Sequence, residues 1–383
     1  MPARRTVAAE DVMVLFATNR EPLGDPREPT GFGTRPNNDG AELRFGACTY
    51  AGAMRNRREV KPPVNPSLTP FPEDRAHGVL GSTALFDRIR AIGFDNQQRA
   101  THDLLVYVHG YQTTFDEALA FTAQIAINLA SVRLGLPAAE RPRPLIPVAF
   151  TWPSDGVLNE RAYWDDVDDA ERSGPALRRT MQFLAEFLAR PFSAPSVGSG
   201  PPMRLVLMVQ SMGHLVLSAA VRDERFPAGI DLVVSTGGDI EADAFERADR
   251  YARLPDLVGR SVIYHSGKDG PLQISQKLRA ARLGLGHAGP RLGQTGPVRA
   301  LPHAAVDTVD VTEVLPGAND DLFHYYGRLN PNVQADILRV LAGAPAHGLA
   351  HPAAGARHRE PGLRRRGQPR RQRRQRHRLP RRQ

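Results

Sequence analysis

Cysteine is almost absent from this chain, and its scarcity excludes a fold held together by disulfides. Cys48 is the single cysteine among 383 residues, so no disulfide can form within the chain. Folding therefore does not depend on an oxidising compartment, and we expect a cytoplasmic protein. Cys48 lies in an apolar, strand-like stretch, which is typical of a buried small hydrophobe and not of a catalytic thiol.

Lysine and long apolar runs are also scarce. Lys61, Lys268 and Lys277 are the only lysines in the sequence, so its basic character comes from arginine. No uninterrupted apolar run reaches the roughly 20 residues that a bilayer-spanning helix needs. The first residues include Arg4 and Arg5 but no apolar core before a small-residue cleavage site, so we expect no signal peptide.

Positive charge is concentrated near the C-terminus. Residues 351–383 carry 13 arginines, no lysine and one acid, a charge of +12, which leaves −3 for the other residues because the net charge is +9. Residues 346–383 have too few aliphatic side chains to bury, so we predict a disordered Arg-rich tail. Its arginines favour weak contact with anionic surfaces. It lacks the interleaved aromatics of a base-stacking segment, so we predict no specific nucleic-acid partner.

Strands and helices alternate from about residue 100 onwards. Continuous apolar runs are typical of strands buried on both faces of a parallel sheet, and such runs occur at 104–108, 146–150, 205–209, 232–235, 262–264 and 306–311. Helical periodicity is found between or after them, at 115–130, 177–188, 215–222 and 333–341. This alternation predicts an α/β core over residues 100–345, with a mostly parallel central sheet and helices on both faces.

Residues 1–99 have a different composition from this core. They are rich in Pro, Gly and Asn and contain two strand candidates, at 12–16 and 43–50. We therefore predict that they form an N-terminal extension packed on the core.

One apolar strand runs directly into Gln210-Ser211-Met212-Gly213, and a helix follows at once. This context predicts a nucleophile elbow, in which a sharp turn lifts the serine hydroxyl clear of the sheet and the Met212 amide faces the oxyanion. Val209 occupies the first position of the usual Gly-x-Ser-x-Gly pattern, where a side chain crowds the turn. The alternative is a strand–turn–helix whose serine only caps the helix.

A His-Gly pair, His109-Gly110, stands at the end of the first core strand. The loop at this place supplies the second oxyanion-hole amide in α/β-hydrolases, so the donor here would be the backbone N–H of Tyr111 or Gln112. The alternative is a simple strand–loop turn. Trp152 ends the next core strand on the same side, where it would either line the pocket or belong to the core.

Several segments together resemble one protein family. They are residues 106–115, 150–154, 163–166 and 209–213, with further matches at 16–20, 45–48, 291–293 and 324–326. The family is a bacterial α/β-hydrolase family of unknown function, often described as esterase/lipase-like, and the resemblance covers roughly residues 12–342. It implies an α/β-hydrolase fold but names no substrate. Members usually have His-Ser-Met-Gly-Asn at the elbow, whereas this chain has Gln210 and His214 at the outer positions.

The acid of a catalytic triad would follow the nucleophile in the chain, because the order in this fold is serine, acid, histidine. Asp269 ends a short polar turn after the strand at 262–264, and the resemblance places the acid there too. Asp239 follows the intervening strand and is the alternative acid. Either carboxylate could instead be a solvated loop residue or a helix N-cap.

The base would follow the last core strand. His324 is the first histidine after residues 306–311 and precedes the closing helix, so we predict that it is the base. His287 and His303 come earlier, in Gly- and Pro-rich surroundings that indicate loops. His214 is next to the elbow in sequence, but its helix should carry it away from the site.

These residues predict a serine hydrolase that cleaves carboxylic esters, whether small-molecule or lipid, through an acyl-enzyme. His324 takes the proton of Ser211, and Asp269 holds the imidazole tautomer. This chemistry needs no metal or organic cofactor. The alternative function is a hydrolase-fold protein that binds without catalysis, which Val209 and Gln210 at the elbow favour.

An acidic cluster at residues 165–169 is the remaining candidate for a metal site. It comprises Asp165, Asp166, Asp168 and Asp169. Ala170 stands where a calcium loop requires glycine, so we expect a solvated helix start instead.

Overall fold

Eleven strands are found in the part of the chain that the structure describes. The structure is a computed structural model, and it describes residues 11–53, 61–189, 201–279, 284–290, 305–314 and 323–346. The strands are β1 (Val12–Thr18), β2 (Arg20–Asp25), β3 (Glu28–Pro36), β4 (Arg44–Tyr50), β5 (Ser67–Pro70), β6 (Asp103–Val108), β7 (Leu145–Thr151), β8 (Leu205–Gln210), β9 (Leu232–Thr236), β10 (Ser261–His265) and β11 (Val306–Asp310).

The helices of the same residues pack around these strands. They are α1 (Gly81–Gly93), α2 (Phe115–Gly135), α3 (Glu160–Ala189), α4 (Gly213–Arg222), α5 (Leu254–Leu257), α6 (Gly270–Leu278), α7 (Leu285–Ala288), α8 (Tyr326–Leu329) and α9 (Pro331–Leu341). α2 begins with a capping box, in which the Thr114 hydroxyl accepts from the Glu117 N–H and the Glu117 carboxylate accepts from the Thr114 N–H.

Nine of the described strands form one sheet, in the order β11-β10-β9-β8-β6-β7-β1-β4-β5. The seven strands from β11 to β1 run parallel, and β4 pairs antiparallel with both β1 and β5. The prediction of an α/β-hydrolase fold with a mostly parallel central sheet is confirmed. Parallel strands present their C-terminal ends at one edge, where the loops of the candidate site collect.

Hydrophobic side chains cover both faces of the sheet. Every residue of β6 and β8 is buried, as a sheet covered on both sides requires. Along β8, Leu207 faces the core beneath α3 and α4, and Met208 faces the opposite core beneath α2 and α9. This alternation follows from the two-residue period of a strand, so helices pack on both faces as predicted.

The N-terminal residues supply strands to the sheet itself. The sequence predicts an extension that packs on the core, whereas β1 lies inside the sheet, parallel to β7 and antiparallel to β4. β1 is almost entirely buried, because its apolar side chains are covered on both faces. β2 and β3 form a separate antiparallel pair. All described residues belong to one compact unit.

Helix α2 is long and apolar enough, by length and composition alone, to cross a membrane. This corrects the expectation that no segment reaches that length. More than half of its apolar window is buried inside the fold, where Ile125 and Leu129 pack on one side of the sheet. α2 is therefore a core helix of this domain.

Three features named in the sequence analysis lie outside the described residues. The predicted Arg-rich tail at 346–383 lies outside them except for Ala346. The segment at 291–293, which resembles the family, also lies outside them. His303 also lies outside the described ranges.

Candidate active site

Ser211 occupies the sharp turn between β8 and α4. Its φ is +53°, a left-handed conformation that is uncommon for a residue with a side chain and typical of a nucleophile elbow. Val209 is fully buried in the core and does not prevent this turn. The Ser211 N–H donates to the Thr236 carbonyl at 3.2 Å, which ties the turn to the end of β9.

Two glycines allow the chain to pack closely around this serine. A Cβ atom at Gly110 would lie 2.6 Å from the Ser211 Cβ and 3.2 Å from its Oγ. A Cβ atom at Gly213 would lie 2.6 Å from the His109 carbonyl oxygen. The two distances of 2.6 Å are shorter than van der Waals contact, so larger residues at 110 or 213 would push the His109 loop and the elbow apart.

His324 and Asp269 are in direct contact. The His324 Nδ1 lies 2.9 Å and 2.8 Å from the two carboxylate oxygens of Asp269, and both side chains are buried. Asp269 Oδ1 also accepts the Leu272 N–H at 3.1 Å, as the N-cap of α6. This arrangement leaves the imidazole Nε2 as the ring nitrogen available to a hydroxyl.

Gly237 brings the Asp269–His324 pair next to the elbow. Its φ is +54°, and a Cβ atom there would lie 3.2 Å from both Asp269 Oδ2 and His324 Nδ1. Gly237 directly follows Thr236, whose carbonyl accepts from Ser211. The sequence did not indicate this glycine, because its importance depends on three segments that meet only in the folded chain.

Burial and charge set the pKa values of the pair. Burial raises the pKa of the Asp269 carboxyl, and the neighbouring His324 opposes that effect only in part. For His324, burial alone would lower the pKa, but the Asp269 carboxylate outweighs it and the pKa rises above its ordinary value. A base of this kind takes up a proton readily.

Asp239, the alternative acid, has different partners. Its carboxylate accepts the Tyr163 hydroxyl at 2.9 Å and also the Ser275 hydroxyl, and Arg279 Nε lies 3.8 Å away. The Asp239 backbone N–H donates to the Ser211 carbonyl at 3.1 Å. Asp239 is thus next to the elbow through its backbone, while the His324 ring contacts Asp269.

The candidate oxyanion donors differ in whether their backbone N–H already donates a hydrogen bond within the protein. The Gln112 N–H donates to Asp166 Oδ2 at 3.4 Å. Within the described ranges, no hydrogen-bond acceptor is found for the N–H of Tyr111 or of Met212. The geometry therefore favours Tyr111 over Gln112 as the partner of Met212.

His109 and Trp152 lie beneath this loop. Trp152 is fully buried, stacks on the His109 ring at a centroid distance of 5.0 Å, and donates from Nε1 to the His109 carbonyl at 2.9 Å. Trp152 is thus part of the core. Its indole N–H satisfies a carbonyl that the turn at Gly110 would otherwise leave unpaired.

Asp166 anchors the loop after His109 and was missed at the sequence level. The sequence predicts a solvated cluster, whereas Asp166 is fully buried and accepts from the Ser154 hydroxyl and from the Asp155 N–H at 3.0 Å. Ser154 Oγ in turn accepts the Thr113 N–H at 3.0 Å. Burial raises the pKa of Asp166 to about 6. Asp165 and Asp168 are exposed, as expected.

Gln210 is one of the two elbow residues that differ from the family pattern, and its side chain is bound by a residue of β6. Its Oε1 accepts the Tyr107 hydroxyl, and its Nε2 is buried with no hydrogen-bond partner among the described residues. The amide therefore faces the interior beneath the turn. Within the same residues, no group of three His, Cys, Asp or Glu side chains is close enough to hold a metal ion.

Two cavities lie at different ends of the strands. One, of about 320 Å³, is lined by Met13 near the start of β1 and Leu145 at the start of β7, among others. The two strands are parallel, so this is the end of the sheet opposite Ser211. The other, of about 330 Å³, is lined by Trp164, Leu215 and Arg279 among others. The second is near the elbow, because Leu215 lies in α4 and Arg279 Nε donates to Tyr163, a partner of Asp239.

Known proteins resemble this chain mainly at the level of a family. A family model described as "Alpha/beta hydrolase of unknown function (DUF900)" matches residues 90–341. Among solved structures, a ferulic acid esterase from Streptomyces cinnamoneus is similar at 12% sequence identity and a TM-score of 0.33, over 91% of this chain and 96% of that one. No curated protein sequence matches the chain.

Proposed function

The chain belongs to the α/β-hydrolase family of unknown function that matches its residues 90–341, and we propose that it is a serine hydrolase that cleaves carboxylic esters. The contact between His324 Nδ1 and both oxygens of Asp269 is the observation that carries this proposal. A buried aspartate paired with a histidine, close to a serine at positive φ, is the arrangement of a Ser-His-Asp triad at a nucleophile elbow, and such a triad supports serine acyl transfer.

The proposed reaction has two halves. His324 Nε2 takes the proton of Ser211 as Oγ attacks the ester carbonyl carbon, and the resulting oxyanion accepts from the N–H groups of Met212 and Tyr111. The tetrahedral species collapses, the leaving alcohol takes the proton from His324, and an acyl-enzyme remains on Ser211. Water then loses a proton to His324 and attacks the acyl carbon, which releases the acid and restores the serine. Asp269 stabilises the imidazolium in both halves.

A fluorophosphonate probe and a series of p-nitrophenyl esters of graded chain length test the proposal. The chain is expected to become labelled and to hydrolyse at least one ester. Ser211→Ala should abolish labelling and lower kcat by about 10⁴-fold or more. Ser218→Ala is the matched control, because Ser218 is a buried serine on α4, the helix that follows Ser211, and its hydroxyl donates to the Asp249 carbonyl. This control should keep both properties.

The alternative function is a hydrolase-fold protein that binds without catalysis. Gln210, which directly precedes Ser211, favours this alternative. Its Nε2 is buried and has no hydrogen-bond partner among the described residues. A folded wild-type chain that is neither labelled by the probe nor active on any ester of the series would support this alternative. Labelling that persists in Ser211→Ala would instead show that another residue is the nucleophile.

A further inference from the structure

His109 is held in a single tautomer by two backbone groups. Its Nε2 lies 3.1 Å from the Trp152 backbone nitrogen, and its Nδ1 lies 2.9 Å from the Gly110 carbonyl oxygen. The Trp152 N–H can only donate, so Nε2 must accept and carries no proton. The ring proton is therefore on Nδ1, which donates to Gly110. Burial and the Arg20 charge lower the pKa of His109 to about 3, so the ring is neutral.

His214 makes the same kind of contact with a different peptide. Its Nδ1 lies 3.1 Å from the Ser211 carbonyl oxygen, which can only accept, so Nδ1 carries the proton. Its Nε2 lies 2.6 Å from the Ser235 hydroxyl on β9. Burial lowers the pKa of His214 to about 4, so Nε2 is free to accept that hydroxyl. The expectation that the helix carries His214 away from the site is thus wrong.

The two carbonyls belong to the peptides that contain the candidate oxyanion donors. A trans peptide is planar, and its C=O and N–H point in opposite directions. Because His109 binds the Gly110 carbonyl, the Tyr111 N–H points away from His109. Because His214 binds the Ser211 carbonyl, the Met212 N–H points away from His214. No described group accepts either N–H.

The same two peptides lie against each other across the serine. Gly110 is so close to Ser211 that an added Cβ would contact both the Cβ and the Oγ of that serine. The Ser211 carbonyl also accepts the backbone N–H groups of His214 and Asp239, each at 3.1 Å, so the peptide before Met212 is fixed by three donors. Both free N–H groups are therefore rigidly placed beside the serine side chain.

We propose that His109 and His214 are a pair of positioning residues, each of which binds the carbonyl of one oxyanion-hole peptide and thereby aims its N–H at the reacting carbonyl. This inference rests on the proposed serine-hydrolase function. Preorganised donors stabilise the oxyanion because they need no reorientation during the reaction. The two histidines neither touch the substrate nor transfer a proton.

The wild-type protein provides the first test, through ¹⁵N NMR of its histidines. Two buried histidines should show the Nδ1–H tautomer and should not titrate between pH 5 and pH 8, and His109→Asn and His214→Asn should each remove one of these signals. The Nε2–H tautomer at either residue would overturn the inference.

Paired amide variants provide the second test. Asparagine places an N–H where Nδ1 stands in histidine, whereas glutamine places it near Nε2. We expect His214→Gln and His109→Gln to lower kcat by about 10- to 100-fold with KM within about twofold, because loss of one oxyanion donor costs about 10²- to 10³-fold and misalignment costs a part of that. The Asn variants should recover most of kcat. If a Gln variant does not fold, the Leu variant of the same residue replaces it.

Tyr251→Phe is the matched control for His214. The buried Tyr251 hydroxyl donates to the His214 carbonyl at 2.9 Å. The Tyr251 ring lies beside the His214 ring at a centroid distance of 6.2 Å, and phenylalanine keeps this ring while it removes only the hydroxyl. The kcat of Tyr251→Phe should be unchanged.

A trifluoromethyl ketone, whose hemiketal oxyanion occupies the oxyanion hole, provides a third test. It should bind more weakly to the Gln variants in proportion to their loss of kcat/KM.

The outcomes separate this inference from the proposed function. A wild-type chain without probe labelling or ester turnover contradicts the proposed function. Two results with an active wild type would contradict only the positioning role. In one, the folded Gln or Leu variants keep the kcat of the wild type. In the other, kcat falls as far in the Asn variants as in the Gln variants.

Discussion

The Arg20 guanidinium donates from Nη2 to the Thr113 carbonyl at 2.8 Å and thereby joins the start of β2 to the loop after His109. Nη1 donates to the Ser154 carbonyl at 3.1 Å and to the Gly33 carbonyl at 3.0 Å. Arg20 is fully buried. One cation therefore joins three segments around the loop that carries the candidate oxyanion amide of Tyr111.

Arg20→Met should weaken both the fold and the reaction. The substitution leaves three carbonyls without their donor, and we expect the free energy of unfolding to fall by about 2–4 kcal/mol. kcat should fall as well, because the loop after His109 loses its anchor. Urea unfolding and ester turnover measure the two effects.

Arg35→Met is the control for this substitution. Arg35 is an exposed arginine on β3 whose Nε lies 3.0 Å from the Glu21 carboxylate, and such exposed pairs contribute little stability. A loss of stability in Arg35→Met as large as in Arg20→Met would contradict the anchoring role.

Asp269→Asn should reduce activity far more than Asp239→Asn. An asparagine at 269 cannot hold the His324 tautomer that accepts the serine proton, and we expect kcat to fall by about 10³- to 10⁴-fold. Asp239→Asn should cost much less, because that carboxylate contacts Tyr163 and Ser275 instead of the histidine. Parallel kcat measurements, with melting temperatures to verify folding, decide the order. The reverse order would make Asp239 the acid.

The pH dependence of kcat/KM should report His324. Protonated His324 cannot accept the Ser211 proton, so activity is lost as the pH falls through the His324 pKa. The Asp269 carboxylate raises this pKa above its ordinary value of 6.5, despite the opposite effect of burial. The acidic limb should therefore lie above pH 6.5 and move to lower pH in Asp269→Asn. An unmoved limb would assign the titration to another group.

Folding stability should fall on acidification because of the two buried neutral histidines. Their folded pKa values, about 3 for His109 and about 4 for His214, lie below the ordinary 6.5. The unfolded chain therefore takes up protons below pH 6.5 before the folded chain does, and each histidine removes about 1.4 kcal/mol of stability per pH unit until its folded pKa is reached. Urea unfolding at pH 7 and pH 5 should show a smaller loss in His214→Asn than in the wild type. Equal losses would mean that His214 is not buried in its neutral form.

Local patterns in the sequence were enough to predict the central sheet and the order of the candidate triad. The apolar runs at 104–108, 146–150 and 205–209 became β6, β7 and β8 with shifts of one residue at most at either end. The contact between His324 and Asp269 joins two residues that the sequence indicates by their place after successive strands and, for Asp269, also by the family resemblance. This reasoning works because parallel strands present their C-terminal ends at one edge of the sheet.

Element boundaries and the N-terminal region were harder to predict. Helix α3 begins at Glu160, well before the apolar periodicity that is evident from residue 177, because its first turns carry the acidic cluster. β1 is adjacent to β7 although more than 120 residues separate them in the chain. Apolar residues in β1 indicate a strand, but no local pattern specifies its neighbour.

The sequence by itself determined the six core strands from β6 to β11 and the helices α2, α4 and α9, because hydrophobic periodicity and turn residues are local properties. It also placed Ser211, Asp269 and His324 each after a core strand. Only the tertiary structure decided which polar groups meet. It paired Asp239 with Tyr163, buried Asp166 beneath the His109 loop, and turned the His214 ring back to the Ser211 carbonyl. These contacts join residues on different elements, and their burial makes each unpaired group costly, so the packed fold and not the local sequence selects the partners.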